Sequence, residues 1–441
     1  MTLWLGFHRV VFRTRQKPGK FRDFTVASFT FTLRRMVRIA IIGGGIGGLT
    51  TAIALRHFGF QPEVYEQAPA LLDVGAAIAL WPNAMRVLQQ LGLNEKVKER
   101  AGVINEIHWL DQNGRPVNQV SIEETDAHNR APAIALHRAD LQNILLQSIP
   151  TSSIHLGNSL LEQTQLDDSV IAHFSNGHIT ESDFLIAADG IHSKVRTQLI
   201  DDTSPTYRGY TVWRGISPTV PKAIPEATAI EIHGRGKRFG LGPVGMGRLG
   251  WWASANAANT SPIAEERSGD RTTWKQGESI PSRRPKDTQS ELLRLFEGWY
   301  RPAIQLIEAT PSSSILRTGA FDRDATKMWG DRRVTLLGDA VHPTTPNLGQ
   351  GGCMAIEDAM LLARCLKEYG GEEKALRVYE RLRYRRTTAI TRYSRLYGSI
   401  GQWENVLARG FRRSMFSLIP ETVARRLMRI VIDYDPCEVK V

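Results

Sequence analysis

The residues with the clearest chemistry are a run of glycines and three acids that follow apolar stretches. Gly43, Gly45 and Gly48 stand in the spacing Gly-x-Gly-x-x-Gly within VRIAIIGGGIGGLTTAIALRHFGFQPEVYEQ (Val37–Gln67). In such a turn the first glycine bends the chain, the second lets backbone approach a pyrophosphate, and the third lets the next helix pack on the strand. The helix start then offers free N–H groups and a positive dipole end to the phosphates. Glu66 ends the next apolar run, where a carboxylate can accept both hydroxyls of an adenosine ribose. Asp189-Gly190 closes a second run, DFLIAADG (Asp183–Gly190), and Asp339 closes a third, which continues as LLGDAVHPTTPNLGQGG (Leu336–Gly352). Asp189 also reads as the N-cap of a helix near Lys194. Gly234-Arg235-Gly236 follows no strand–helix pattern and reads as a hairpin turn, so one dinucleotide-binding unit is expected.

These residues need a particular set of elements behind them. Val37–Ile42 reads as a buried strand, Gly47–Phe58 as a helix closed by Gly59, and Gln61–Glu66 as a parallel strand. His137–Ile149 predicts another helix, and residues 153–188 are strand-like. From Tyr210 to about Ala253 the chain is Gly-punctuated and rich in Trp and Phe, which predicts a mostly antiparallel sheet. Residues 255–290 are polar and read as a surface excursion. Arg333–Gly338 returns to the buried parallel style, and the remainder is helical and Arg-rich. The expected fold class is α/β: a Rossmann-like domain interrupted by a β-rich domain, with a helical C-terminal segment. The expected boundaries are 1–35 for an extension that is disordered or not native, 36–110, 136–208 and 321–370 for the three parts of the nucleotide-binding domain, 111–135 and 209–320 for the β-rich domain, and 371–441 for the helical segment.

Bulk properties narrow the function classes. The 441 residues are 42% hydrophobic and 23% charged, an ordinary globular balance. The net charge of +11 suggests nucleic acid at first sight. Residues 1–35, however, hold eight basic residues against Asp23 and carry +7 of it. The rest is near balance and shows no basic stripe with interleaved aromatics, so no nucleic-acid partner is expected. The first 35 residues lack a secretory pattern. They read either as an organelle transit peptide or, preferred, as an upstream extension with Met36 as the start, which leaves the protein in the cytoplasm. Cys353, Cys365 and Cys437 have neither metal-ligand nor CxxC spacing, so no metal is expected and a reducing compartment is implied. The five glycines and Arg38 within Val37–Leu55 argue against a membrane span.

GGGIGG with Glu66, FLIAADGIHSKVR and LLGDAVHPTTPNLGQGG occur in the order and spacing of the single-component flavoprotein monooxygenases. Residues from about 36 to 400 resemble the branch of salicylate hydroxylase, FAD-dependent urate hydroxylase and zeaxanthin epoxidase. The resemblance implies that the dinucleotide is FAD and that the interrupting domain is a substrate domain. It implies that Gly43, Gly45 and Gly48 hold the pyrophosphate, Glu66 the adenosine ribose, and Asp339 the ribityl or ribose hydroxyls. Arg138, in HRADL, would contact the flavin side of the cofactor, although without the resemblance it reads as a surface arginine at a helix start. Asp189-Gly190 would be shared between FAD and the reduced pyridine nucleotide. Pro346, Gly349, Gly351 and Gly352 would pass under the flavin ring and point backbone N–H groups at its N1–C2=O edge.

The activity implied is a monooxygenation. NADH or NADPH, binding transiently, reduces FAD; reduced flavin and O2 form a C4a-hydroperoxide; oxygen is transferred to a small aromatic or unsaturated ring compound. The alternatives are a flavin oxidoreductase without oxygen insertion and a non-catalytic FAD-binding chain. Arg238 matches an arginine that faces the substrate in urate-hydroxylase-like relatives, while the tyrosine expected nearby in those enzymes is Gly250 here. His342 falls close to the flavin by motif position and reads either as catalytic or as a satisfied structural histidine. Trp213, Phe239 and Trp251 read either as pocket lining or as plain core. No general base is identified, and the oligomeric state is open. The interleaved basic and apolar residues of Arg409–Ile430 suggest either a membrane-surface helix or, preferred, a packed tail with solvated arginines, since Pro420 breaks the run.

Overall fold

In the computed structural model, which describes residues 37–70, 76–122, 131–201, 203–257 and 285–441, the run Arg38–Ile42 lies inside a six-stranded sheet. The expected extension 1–35, the start at Met36 and most of the polar excursion after 255 fall outside the described residues. The strands run in the order Gly330–Asp331, Val334–Leu336, Phe184–Ala187, Arg38–Ile42, Gln61–Tyr65 and Ile154–His155. Every pair is parallel except the Gly330–Asp331 edge. Ile39, Ile41, Leu185, Ile186 and Val334 are all buried, as expected of strands covered on both faces.

From Arg38–Ile42 the chain crosses through the helix Ile46–His57 to Gln61–Tyr65 on one side. It later returns to Phe184–Ala187 on the other side, so a crevice opens at the carboxyl end of the first strand. Register completes the arrangement. Ile42 pairs with Tyr65 and with Ala187, and Ala187 pairs with Leu336. The residues that follow each strand (Gly43, Glu66, Ala188-Asp189 and Leu337–Asp339) therefore share one edge of the sheet.

A seven-stranded sheet stands apart from this one. Its order is Leu316–Asp322, Thr206–Ser217, Leu249–Asn256, Lys237–Pro243, Thr228–His233, Glu106–Asp111 and Pro116–Ser121. All neighbours are antiparallel except Thr228–His233 with Glu106–Asp111. Glu106–Asp111 and Thr206–Gly209 thus belong to this sheet although they begin before residues 111 and 209, because their pairing partners lie far along the chain. Gly234–Gly236 is the expected hairpin turn between two of its strands. One face is covered by the helices Pro285–Leu295 and Arg301–Ala309, with Trp213, Phe239 and Trp251 packed against Phe296 and Leu306. Phe239 stacks on Trp251 at 5.6 Å. Those three aromatics are core, not pocket lining.

From Gly351 onward the described elements are helices. Gly351–Glu368 packs on Ile46–His57, and the long helix Glu373–Gly401 packs behind it. Arg383 on the long helix is fully buried and pairs with Glu357 at 2.6 Å and Asp358 at 2.5 Å. Glu380, a turn earlier, accepts from Thr335 Oγ1 and Arg377, each at 2.7 Å. Burial nevertheless pushes its carboxyl from 4.5 up to about 7. A carboxyl raised in the folded state favours folding when protonated, and that contribution fades as pH rises through the folded value. Glu380→Gln is therefore expected to gain on the parent protein by about 3 kcal/mol between pH 4.5 and pH 7. Parallel denaturant titrations at the two pH values measure this, and a constant difference contradicts it.

Candidate active site

The turn after the first strand contains two kinds of glycine. Gly43 has φ +107°, a region that disfavours other residues. A Cβ on Gly43 would lie 2.4 Å from Ala188 O, and one on Gly48 would lie 1.9 Å from Gly43 O. The protein's own backbone demands both. Gly45 has φ −76° and ψ −177°, which any residue adopts. A Cβ there would meet nothing within 4 Å. Protein packing does not explain this glycine, and the space beside it is left for a ligand. The helix Ile46–His57 starts at the same point with no side-chain cap and no acid in its first turn, so its N–H groups are unsatisfied by the chain.

Glu66 is fixed from two sides. Gly44 N–H donates to Oε2 at 2.6 Å and Ala68 N–H to Oε1 at 2.9 Å. Each carboxylate oxygen keeps a second lone pair. Gln142 Nε2 holds the same turn through Gly44 O at 3.0 Å.

Asp189 follows the strand Phe184–Ala187, and its Oδ2 accepts Lys194 N–H at 3.0 Å. The N-cap position of the helix Lys194–Leu199 is Ser193, whose Oγ accepts Arg196 N–H at 2.9 Å, so the expected cap is shared, with Asp189 taking the first N–H of the helix. Burial pushes the Asp189 carboxyl up, with Ser193 and nearby backbone N–H groups opposing it. Its Oδ1 is buried without a partner. Gly190 takes φ +81°.

At the other end of the cleft, Asp339 lies in the tight turn Gly338–Ala340. It is exposed on one side and crowded by protein on the others, as a carboxylate on a cleft floor is. That crowding raises its pKa, while the charges of His342 and Arg138 oppose the rise. A Cβ on Gly351 would lie 3.8 Å from Asp339 Oδ1, which places the carboxylate beside the start of Gly351–Glu368. That helix also begins without a side-chain cap or first-turn acid. Arg138 opens the helix Arg138–Leu146 and is exposed; its N–H donates to Ala76 O at 3.0 Å, and its side chain makes no hydrogen bond or ion pair among the described residues. Pro346–Leu348 forms a turn that ends at Gly349, φ +61°. Side chains at Gly349 and Gly352 would press on Trp81 Nε1 at 3.0 Å and Ile78 Cδ1 at 2.8 Å, so these glycines let the loop lie against the strand Ala77–Leu80.

Three polar atoms around this loop are buried without partners: Trp81 Nε1, Thr344 Oγ1 and Gln350 Nε2. Asn83 Nδ2 donates to Gln350 Oε1 at 2.9 Å and so leaves Nε2 as the unpaired end. An unmet buried donor costs about 1–3 kcal/mol, so a cluster of them points to a polar group that completes the site. An extended dinucleotide with its phosphates at Gly45 and a polar ring near Gly349–Gly351 fits these residues. Trp81, Thr344 and Gln350 were not singled out from the sequence; the position of Trp81 directly before Pro82 at a helix start is the signal that was available.

Two expected site residues sit elsewhere. His342 is 7% exposed, its Nε2 lies 2.6 Å from Asp358 Oδ2, and its Nδ1 is buried as well. Asp358 also accepts Gly338 N–H at 3.0 Å. Burial would raise Asp358, but His342 and Arg383 outweigh it and hold the carboxylate below its usual range. His342 therefore braces the Asp339 turn from behind through Asp358, with its Nδ1 lacking a partner among the described residues.

Arg238 is 0% exposed. Its Nε donates to Glu231 Oε1 at 2.8 Å and its NH1 to Asn347 Oδ1 at 2.6 Å. The rings of Trp252 and Tyr397 lie 4.8 and 5.0 Å away. A guanidinium used on every side does not face a substrate; it ties the seven-stranded sheet to the loop at Asn347. The face of the sheet that carries Arg238 also carries Trp252, because Gly240 pairs with Trp252 and Arg238 with Ser254. Gly240 leaves room for the indole, since a Cβ there would lie 2.2 Å from Trp252 Nε1. Gly250 on this face meets Ala77, where a Cβ would lie 2.5 Å from the alanine methyl, so a tyrosine does not fit without rearrangement. A cavity of about 700 Å³ opens between Tyr210, Asn256, Thr345 and the helix residues Arg395, Gly398 and Gln402. Tyr210 O–H accepts from Asn347 Nδ2 at 2.9 Å, which joins this cavity to the same loop.

Residues 36–394 match a family model described as FAD binding domain. The chain is 38% identical over 381 residues to an aurachin C monooxygenase/isomerase of Stigmatella aurantiaca, covering 86% of this chain and 94% of that protein. It is 35% identical over 368 residues to a 3-amino-4-hydroxybenzoate 2-monooxygenase of Streptomyces cremeus, covering 82% and 86%. Among solved structures, Klebsiella pneumoniae HpxO complexed with FAD and uric acid superposes with a TM-score of 0.80 at 27% identity, covering 90% of this chain and 96% of that one.

Proposed function

This chain belongs to the FAD binding domain family, and from that premise we propose that it is a monooxygenase that uses NAD(P)H and O2 to hydroxylate or epoxidise a small aromatic or unsaturated ring compound. The observation that carries the reading is the pairing of two ends in one cleft: open space at Gly45 beside one uncapped helix, and the Asp339 carboxylate beside another. When bound there, FAD would carry electrons from NAD(P)H to O2 and deliver oxygen to the substrate.

The chain's own residues divide the remaining work. Gly43–Gly48 and the start of Ile46–His57 hold the pyrophosphate, Glu66 the adenosine ribose, and Asp339 the hydroxyls of the ribityl chain. Asp189-Gly190 and Arg138 flank the same edge. Pro346, Gly349, Gly351 and Gly352 bring backbone and the positive end of Gly351–Glu368 to the ring, where that potential favours an anionic ring edge. Trp81 and Trp252 present indole surface on the loop and sheet sides and help to exclude water. One of the relatives is named for its action on 3-amino-4-hydroxybenzoate, which supports a substituted aromatic ring as the substrate class.

The glycines provide a direct test of the cofactor end. Gly48→Ala is expected to lower stability by several kcal/mol, because its Cβ meets the Gly43 carbonyl. Gly45→Ala is expected to melt like the parent in its FAD-free form while binding FAD at least about tenfold more weakly. Equal FAD affinity in Gly45→Ala would remove the pyrophosphate assignment. The reaction itself is tested by screening hydroxy- and amino-substituted aromatic acids, purines and polyenes for stimulated NADH or NADPH oxidation. O2 uptake with an oxygenated product supports monooxygenation. Stimulated oxidation without an oxygenated product from any substrate assigns the chain to the flavin oxidoreductases instead.

A further inference from the structure

The last two helices leave apolar faces uncovered. Val406–Leu418 exposes Leu407 (83%), Phe411 (63%) and Leu418 (78%), and Glu421–Ile432 exposes Val423, Leu427 and Ile430. These positions recur at helical spacing, so each set forms one stripe. The opposite faces are the ones that pack. Both helices lie on the strand Pro116–Ser121, and Ala424, Met428, Val431 and Ile432 join a core there with Val120 and Ile122. Asn118 Nδ2 donates to Phe416 O at 2.7 Å and Ile419 O at 3.1 Å and so pins the turn between the helices. Pro420 therefore splits the run into two docked helices instead of ending it.

Charge identifies the occupant. Residues 406–432 contain six arginines and one acid, Glu421. Arg412 is buried against the carbonyls of Ile400, Gly401 and Gly234 and serves the fold. Arg413 reaches Asp111 at 3.1 Å. Arg426 is exposed beside the apolar stripe of Glu421–Ile432, whereas Arg409 lies opposite the Leu407–Phe411 stripe, half-buried over Asp111 and Phe416. A second copy of this face would set like charge against like charge around the apolar contact. An anionic bilayer surface instead takes apolar side chains at the acyl boundary and cations at the headgroups. No helix among the described residues is long and apolar enough to cross a membrane, so the contact is with the surface alone. We propose that the exposed stripes of Val406–Leu418 and Glu421–Ile432, in this Arg-rich segment and with Arg426 at their border, dock the protein on anionic lipid membranes.

The test is co-sedimentation of the full-length, FAD-loaded protein with phosphatidylcholine vesicles and with vesicles containing phosphatidylglycerol as well. Binding is expected only to the anionic vesicles, and added salt should weaken it. Phe411→Ser with Leu427→Ser removes apolar surface without changing charge, and its partition should fall at least about tenfold. Arg426→Gln should lose about fivefold. Phe411, Leu427 and Arg426 lie outside the buried clusters, and retained FAD absorbance with an unchanged melting curve confirms folded variants. Failure of the parent to sediment with anionic vesicles overturns the proposal. So does a parent dimer in sizing experiments that Phe411→Ser with Leu427→Ser dissociates, since the face would then join two copies.

Discussion

Asp339→Ala is expected to yield a folded protein that is purified nearly colourless and binds added FAD about 100-fold more weakly than the parent. The carboxylate is exposed within a cleft, so its removal breaks no internal hydrogen bond and leaves no cavity in the core. Stability without FAD should stay within about 0.5 kcal/mol. What is lost is charge-assisted acceptance of cofactor hydroxyls, worth about 1.5–3 kcal/mol for each such bond. Asp339→Asn keeps an acceptor oxygen but no charge and should fall between the two. Acid should have a related effect. The Asp339 carboxyl is raised by the surrounding protein, so it takes up a proton at a higher pH than an ordinary aspartate, and FAD affinity should decline as pH falls through that raised value. Flavin absorbance after gel filtration and titration calorimetry at several pH values measure both effects. Stoichiometric FAD in purified Asp339→Ala would end the assignment of this end of the cleft.

What could be read from the chain before folding depended on the range of the interactions. The strand–glycine–helix–strand start was legible to within a residue or two, because periodicity, the Gly turn and the Gly59 stop are local signals. So were the three motif ends, since each follows an apolar run directly. Their convergence needed the parallel register that sets Ile42 beside Ala187 and Ala187 beside Leu336. Face parity was not legible. Trp251 and Trp252 are neighbours on one strand and must point opposite ways, but only the packing of Trp251 against Phe239 and Thr310 decides which is core. Side-chain partners across long sequence gaps were hidden as well. Nothing local marks Asp358 as the carboxylate behind His342, or Glu231 and Asn347 as the partners of Arg238. The arginines of Arg409–Ile430 read as solvated, yet Arg412 is buried because helix-end carbonyls come to meet it.

Arg238→Ala is expected to be the most destabilising single change near the site, at about 3–5 kcal/mol. Its guanidinium is the main partner of a buried carboxylate. Burial alone would raise Glu231, but Arg238 outweighs it and holds the carboxyl well below its usual range. Without Arg238, Tyr397 O–H at 2.7 Å from Glu231 Oε2 and the His233 ring at 3.0 Å from Oε1 remain, and these two neighbours do not offset a buried negative charge. The sign of the pH effect follows. In the parent, the depressed carboxyl contributes stability that is fully present above the ordinary glutamate pKa and is lost only as pH falls through the depressed value. In Arg238→Ala the same carboxyl is raised by burial and destabilises as pH increases. The gap between the two proteins should therefore widen from pH 4 to pH 7, about where ordinary glutamates finish ionising. Glu231→Leu in the Arg238→Met background removes both charges and should recover much of the loss, since an apolar pair of similar volume has nothing left unpaired. Arg238→Lys should recover less, because one ammonium does not reproduce the fork that serves Glu231 and Asn347 together. Urea titrations of these variants, with Glu231→Leu and Arg238→Met measured alone to close the cycle, read these differences. If the Arg238 and Glu231 substitutions prove additive to within about 0.5 kcal/mol, the two groups are not coupled and the buried pair does not hold the sheet to the loop.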